Sequence, residues 1–188
     1  MKIDAILMAS GFSRRFGEED KLLHLFRGKP LAVHTLELVS RMPEFDSIYF
    51  ISASDAVAQL AEDFPVIRIH NDNPRRGSRE SIRLGVQASS AEQFCFFPCD
   101  QPFLDACTVH NILSHAAKDR IVCPTLDGIP NSPSVFSARF REELLTIPAG
   151  EQGRSIRKNH PESLIFVPIT NPHLLADIDT LEETTCSY

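Results

Sequence analysis

The chain has 188 residues, enough for one domain with a substantial core, and its formal charge of -6 and pI near 5.6 argue against the basic face a nucleic acid needs, while a local basic patch for phosphates stays compatible with them. No apolar run approaches a membrane span, and the N-terminus opens directly on a strand without a signal peptide, so a soluble, cytoplasmic protein is expected. Five cysteines without a C-x-x-C pair and seven histidines without ligand spacing set aside a disulfide framework and a zinc site.

In chain order, a first strand is predicted over 2–8, where Ile3-Asp4-Ala5-Ile6-Leu7 is short and mostly apolar, as strands buried on both faces are. It runs into the polar loop Met8-Ala9-Ser10-Gly11-Phe12-Ser13-Arg14-Arg15-Phe16-Gly17, followed by Lys21. Small side chains there let main-chain N–H groups approach a base or phosphate, and the cations neutralise it. Neither common nucleotide fingerprint is present. Gly17 precedes Glu18, where a P-loop needs lysine, and the residue two after Gly11 is Ser13, where a dinucleotide loop needs glycine.

A helix is predicted over 30–42, with Pro30 at its first position and Leu31, Val33, Leu36, Leu38 and Val39 on its apolar face. Further strands are predicted over 47–52, 66–70, 93–98, 121–124, 134–137 and 164–168. Helices alternate with them over 55–63, 78–90, 105–117, 138–146 and 153–159, with Ser54 and Asp105 at N-cap positions. That order implies an α/β fold, a mostly parallel sheet covered by helices on both faces, in one domain over 1–188.

In such a fold ligands bind beyond the carboxyl ends of the strands. The first strand ends in the Ser10-Gly11 loop. The third is followed by His70-Asn71-Asp72-Asn73-Pro74-Arg75-Arg76-Gly77, and the fourth by Pro98-Cys99-Asp100-Gln101-Pro102. Arg15 and Lys21 suit a triphosphate, though Glu18, Glu19 and Asp20 could equally pair with them in a solvated loop. Asp100, at the tip of an apolar strand, suits Mg²⁺ held against a polyphosphate, the alternative of a helix cap being better filled by Asp105. In an extended Asp177-Ile178-Asp179-Thr180 the two carboxylates share a side and Ile178 enters the core. They suit a second metal ligand or the N-cap region of a helix through Leu181-Glu182-Glu183. Gly77-Ser78-Arg79-Glu80-Ser81 leads into a helix where Ser81, Gly85 and Ala88 allow close approach, to a ligand or simply to the sheet. Cys95 and Cys123 read as small core residues, and Cys99 stands beside Asp100.

As a set these residues resemble the molybdenum cofactor nucleotidyltransferases, and among them the molybdenum cofactor cytidylyltransferases. Met8 to Gly17 resembles the family's L-A-A-G-x-S-x-R-M-G loop. Lys21-Leu22-Leu23 and Gly28-Lys29-Pro30-Leu31 resemble K-L-L and G-K-P-L. Asn73-Pro74 with Gly77 and Ser81 resembles N-P-x-x-x-G-x-x-x-S, one residue shorter before the glycine. Asp100-Gln101-Pro102 is similar to D-Q-P, Gly150-Glu151-Gln152-Gly153-Arg154 to G-D-x-G followed by Ala or Arg, and Asp177 to Thr180 to D-I-D-T.

The resemblance implies a three-layer αβα, Rossmann-like nucleotidyltransferase. Met8, Ala9, Ser10, Gly11, Asn73, Gly77, Arg79 and Ser81 would hold CTP, with Arg15 and Lys21 on its phosphates and Asp100 and Asp179 on Mg²⁺. Arg15, Lys21 and Asp100 would carry catalysis. The terminal phosphate of molybdopterin, the organic part of the Mo cofactor, would attack the α-phosphorus, giving the cytosine dinucleotide and pyrophosphate. The nucleophile is already ionised, so no general base is required. A molybdenum hydroxylase apo-enzyme would be a further partner, with no nucleic acid or membrane involved.

The chain departs from the cytidylyltransferase pattern at Ser10, at the Glu18-Glu19-Asp20 spacer and Pro98-Cys99-Asp100, which resemble the guanylyltransferases, and at Asn131-Ser132-Pro133, where the family has G-N-P. Alternatives are therefore GTP in place of CTP, a different phosphorylated acceptor, or a non-catalytic carrier of the cofactor. A nicotinamide oxidoreductase is disfavoured by the missing glycine fingerprint.

Overall fold

The computed structural model describes residues 1–11 and 20–179. In chain order its elements are β1 (Ile3–Ala9), β2 (Leu25–Phe26), β3 (Lys29–Pro30), α1 (Leu31–Ser40), β4 (Ser47–Ser52), α2 (Asp55–Gln59), β5 (Ile67–His70), α3 (Ser78–Ala88) and β6 (Gln93–Pro98). Then come α4 (Ala106–Ser114), β7 (Ile121–Leu126), β8 (Ile129–Pro130), β9 (Ser134–Ser137), α5 (Arg141–Leu145), α6 (Gly153–Asn159) and β10 (Leu164–Pro168).

One sheet runs β10-β7-β9-β6-β1-β4-β5, with β8 paired to β7, while β2 and β3 form a separate small hairpin. β1 lies in its interior, parallel to β4 on one side and to β6 on the other. β9 is antiparallel to both β6 and β7. It follows β7 after a short hairpin connection, too short for the crossover that a parallel return requires.

Along β1, Ala5, Leu7 and Ala9 pack with Leu31, Leu36, Val39, Val109 and Ile112 on one face. Ile6 points the other way, among Ile82, Val86, Phe94, Phe136 and Phe140. Alternation of period 2 that is apolar on both sides is what a strand between two helical layers needs. α3 lies against β1 closely enough that a Cβ on Gly85 would sit 2.5 Å from Ile6 Cγ2. Sheet packing therefore accounts for that glycine.

Several predicted boundaries move. Pro30 is not the first helical residue of α1. It pairs with Leu25 across the β2–β3 hairpin and serves as N-cap, with a ψ of 141° that lies outside the helical region. α2 stops at Gln59, and the chain beyond it tightens into i→i+3 bonds, Leu60 N to Val57 O and Ala61 N to Ala58 O. Ser54 is its N-cap by position but makes no side-chain capping bond. The predicted 138–146 helix divides into a 3₁₀ turn, Ala138–Phe140, and α5, because Ser137 Oγ takes the Arg139 N–H and starts the turn early. Asp105 caps α4 as predicted, accepting from Thr108 N at 2.7 Å. Among the described residues, no helix is long and apolar enough to cross a membrane.

Candidate active site

Because β1, β4, β5 and β6 are parallel, their carboxyl ends meet on one edge of the sheet, and the side chains of interest gather there. Met8 and Ala9 close β1 beside Ile51 and Ser52 of β4. Ser10 is buried, and its hydroxyl donates to the Ile51 carbonyl at 2.9 Å. The serine thus ties the loop to β4. Gly11 is exposed, and no atom of the described residues lies within 4 Å of a Cβ built on it. Arg15 lies outside the described residues, as do Thr180 and Leu181-Glu182-Glu183.

Lys21 starts a 3₁₀ turn, Lys21–Leu23, whose entry is fixed by Asp20 Oδ1 accepting from Leu22 N at 3.1 Å while Leu22 plugs into the core. Its ammonium reaches Asp100 Oδ2 at 2.7 Å, Asp179 Oδ1 at 3.2 Å and the Ile178 carbonyl at 3.1 Å. Burial works against the charge on Lys21, but the Asp100 carboxylate, and behind it Asp179, more than offset this. The Lys21 pKa therefore lies above its ordinary value.

Asp100 follows β6 in a turn, and Ile178 N donates to its carbonyl at 2.9 Å, which fastens the two acidic segments together. Its Oδ1 is buried without a hydrogen-bond partner among the described residues. Ile178 enters the core while Asp177 and Asp179 stay on the surface, the predicted alternation. Asp177, exposed at its edge but crowded by neighbouring protein, has its carboxyl pushed up to about 6. Partial desolvation is the first cause and the Asp100 charge the second, with Gln101 and Lys21 pulling the other way. Burial, reinforced by Asp100, also holds the Cys99 thiol well above its usual range, so it stays protonated and inert.

On the other side of β1, Asn73 heads a 3₁₀ turn, Pro74–Arg76, that ends at Gly77 with φ +71°, a conformation that favours glycine. Arg79 is held by main-chain carbonyls, Nε donating to Arg76 O and a terminal nitrogen to Ile147 O, both at 3.2 Å. Ser81 is buried in α3. Glu80, only 3% exposed, pairs with Arg83 at 2.6 Å and Arg76 at 3.4 Å and so anchors the turn to the helix. A 390 Å³ cavity lies between Arg75–Arg79 and the 149–152 loop.

Two residues gain weight from the structure. Asn71, 1% exposed, follows β5, and its main-chain N–H bonds Ser52 O at the tip of β4. Its Oδ1 accepts from Asn73 N at 2.9 Å, which fixes the amide orientation and leaves Nδ2 buried without a partner among the described residues. Its signal in the sequence is only an amide directly after a strand, hidden in what reads as a polar turn. Gln101, 2% exposed, donates to Leu175 O at 3.0 Å and to Asn131 Oδ1 at 3.4 Å. It thereby joins the Asp100 turn to both the 172–179 segment and the Asn131-Ser132-Pro133 loop.

Residues 5–164 match the model of the MobA-like NTP transferase domain. The chain belongs to that family. It is 28% identical over 129 residues to a probable molybdenum cofactor guanylyltransferase of Natranaerobius thermophilus, covering 67% of this chain and 62% of that protein. It is 31% identical over 93 residues to a 2-C-methyl-D-erythritol 4-phosphate cytidylyltransferase of Dehalococcoides mccartyi, covering 46% and 40%. The aligned chain thus spans under two thirds of either relative. A nucleotidyl transferase from Methanothermobacter thermautotroptrophicus superposes with a TM-score of 0.84 at 19% identity, over 97% of this chain and 94% of that one, a likeness of fold.

In this MobA-like domain, no three His, Cys, Asp or Glu side chains among the described residues form a metal cage by themselves. Asp100 and Asp179 supply two carboxylates within reach of one ammonium, and Asp100 Oδ1 has spare acceptor capacity. That donor set fits Mg²⁺, which keeps several waters and binds through one or two carboxylates plus substrate phosphates.

Proposed function

We propose that this chain is a Mg²⁺-dependent nucleotidyltransferase acting as a single domain. It joins the nucleoside monophosphate of GTP to the terminal phosphate of molybdopterin and releases pyrophosphate. The observation that carries it is the convergence of Lys21, Asp100 and Asp179 at the carboxyl edge of the sheet, the edge on which β1 ends before Gly11. An acceptor phosphate oxygen would form the new bond to the α-phosphorus. The bond from that phosphorus to the bridging oxygen would break, and its electron pair would leave with pyrophosphate. Lys21 would donate to the phosphate oxygens, Asp100 and Asp179 would hold the cation, and Gly11 would present main-chain N–H. A divalent cation there would neutralise charge on the reacting phosphates.

GTP is favoured over CTP by the relatives named molybdenum cofactor guanylyltransferase and by the Glu18-Glu19-Asp20 spacer. Asn71 favours the second reading, CTP. Its Nδ2, buried just beyond β5 and without a partner among the described residues, is a donor that would suit the two adjacent acceptors of cytosine, whereas guanine's neighbouring donors ask for a carboxylate or carbonyl. The deciding experiment is pyrophosphate release with Mg²⁺, molybdopterin and each of GTP, CTP, ATP and UTP. Release with GTP is expected, and release with CTP alone would reverse the base choice. Silence with all four, from folded protein that still binds the pterin, would replace the enzyme by a carrier.

A further inference from the structure

Lys21 Nζ sits among a carboxylate oxygen of Asp100 at 2.7 Å, the carbonyl of Ile178 at 3.1 Å and a carboxylate oxygen of Asp179 at 3.2 Å. Two carboxylates and a carbonyl are hard oxygen donors, the kind a divalent cation takes up. We propose that the Lys21 ammonium is a built-in stand-in for the metal. It must leave this oxygen cluster before a divalent cation can enter, and the triphosphate is what draws it away, so that metal and nucleotide bind as a pair. The inference rests on the assignment of Asp100 and Asp179 made above.

Three features support it. Without a cation the two acids, clamped together by Ile178 N on the Asp100 carbonyl, would repel each other at close range, so the cluster needs a positive charge at all times. A dication placed among the same oxygens would lie in contact with the ammonium, and two positive centres cannot share that space. The lysine is also able to leave. Its backbone is fixed by the Asp20 cap and by buried Leu22, while its charge rides on a flexible four-carbon stem. A triphosphate offers the departing ammonium charge-assisted bonds at least as good as those it gives up. Asp100 Oδ1, buried and without a partner among the described residues, is then a second oxygen for the metal. Coupling of this kind is reciprocal: metal must raise nucleotide affinity by the factor by which nucleotide raises metal affinity.

The test is Mn²⁺ titration of the full chain, followed by the electron paramagnetic resonance of free Mn²⁺, with and without a non-hydrolysable GTP analogue. Mn²⁺ binding by the analogue alone is measured as the reference. Wild-type protein is expected to bind Mn²⁺ weakly alone and about tenfold or more tightly with the analogue present. Lys21→Met should bind Mn²⁺ tightly without any nucleotide, and adding Asp100→Asn should remove that gain. Equal Mn²⁺ affinity for wild type with and without the analogue overturns the inference, and this arm needs no variant to fold. Equal affinity for wild type and folded Lys21→Met overturns it too. Failure of pyrophosphate release with every nucleotide, alongside the Lys21→Met gain, would remove the proposed reaction and leave the stand-in in place. Pyrophosphate release with unchanged Mn²⁺ affinities would do the reverse.

Discussion

A single amide shows how much chemistry rests on one atom. Asn71 is buried at the end of β5 with Oδ1 committed to Asn73 N, so that Nδ2 is left without a partner among the described residues and, on the second reading proposed above, is the donor that would read a base. Asn71→Asp would turn that donor into an acceptor for guanine's N1–H and N2–H at almost constant volume. The ratio of kcat/KM for GTP to that for CTP is expected to rise about tenfold, the low end of the ~1–3 kcal/mol that a good paired base contact is worth. An unchanged ratio would mean that Asn71 does not face the base. The acids at 100 and 179 were recognisable because each follows an apolar strand or alternates with a core residue. Asn71 was not, because an amide within Asn71-Asp72-Asn73-Pro74 is indistinguishable from turn chemistry until its burial is known. Ser10 was singled out in the sequence, but that its hydroxyl spends its donor on Ile51 O was not legible there.

Among the elements, α3 does two things: it packs β1 through Gly85 and it carries the 74–77 turn. Glu80 links those tasks. Its bond to Arg83 is the first cause that lowers its carboxyl pKa, opposed by burial and aided by Arg76. A depressed folded-state pKa means that the stabilisation is present above the ordinary glutamate range and is lost as pH falls through the folded value. Glu80→Gln is therefore expected to melt below wild type at pH 7, by about 1–2 kcal/mol because both arginines can turn to solvent. The two melting curves should converge as the pH falls through the lowered Glu80 value. A gap that persists there would assign the loss to packing instead of charge. α3, β6 and α4 were legible from period and caps, whereas the β2–β3 hairpin was not. Two-residue strands carry no period, and Pro30 followed by an apolar face imitates a helix start.

For the molecule as a whole, an acidic protein that binds a polyanion must concentrate its positive charge locally. Arg79 does this at one edge of the sheet by having carbonyls for partners, whereas the charge of Lys21 is offset by Asp100 and Asp179 until, on the reading proposed above, a metal takes its place. Saturating Mg²⁺ and GTP together, at about 100 times the Kd, should stabilise the fold by about 2.7 kcal/mol, or about 5–10 °C in Tm for a chain of this size. Differential scanning fluorimetry reads this directly, and a Tm that ignores every nucleotide would remove the binding site from this edge. The alternation of short apolar strands with amphipathic helices was enough by itself to determine a helix-covered, mostly parallel sheet, and hence which loops share an edge, because burial on both faces leaves few other arrangements. It could not determine that Lys21 and Asp179, 158 residues apart, meet on Asp100. Nor could it determine that β9 enters the sheet antiparallel, or that Asn71 Nδ2 is left without a partner among the described residues. Those follow from contacts between distant segments, and only the folded chain decides which polar groups are left with partners.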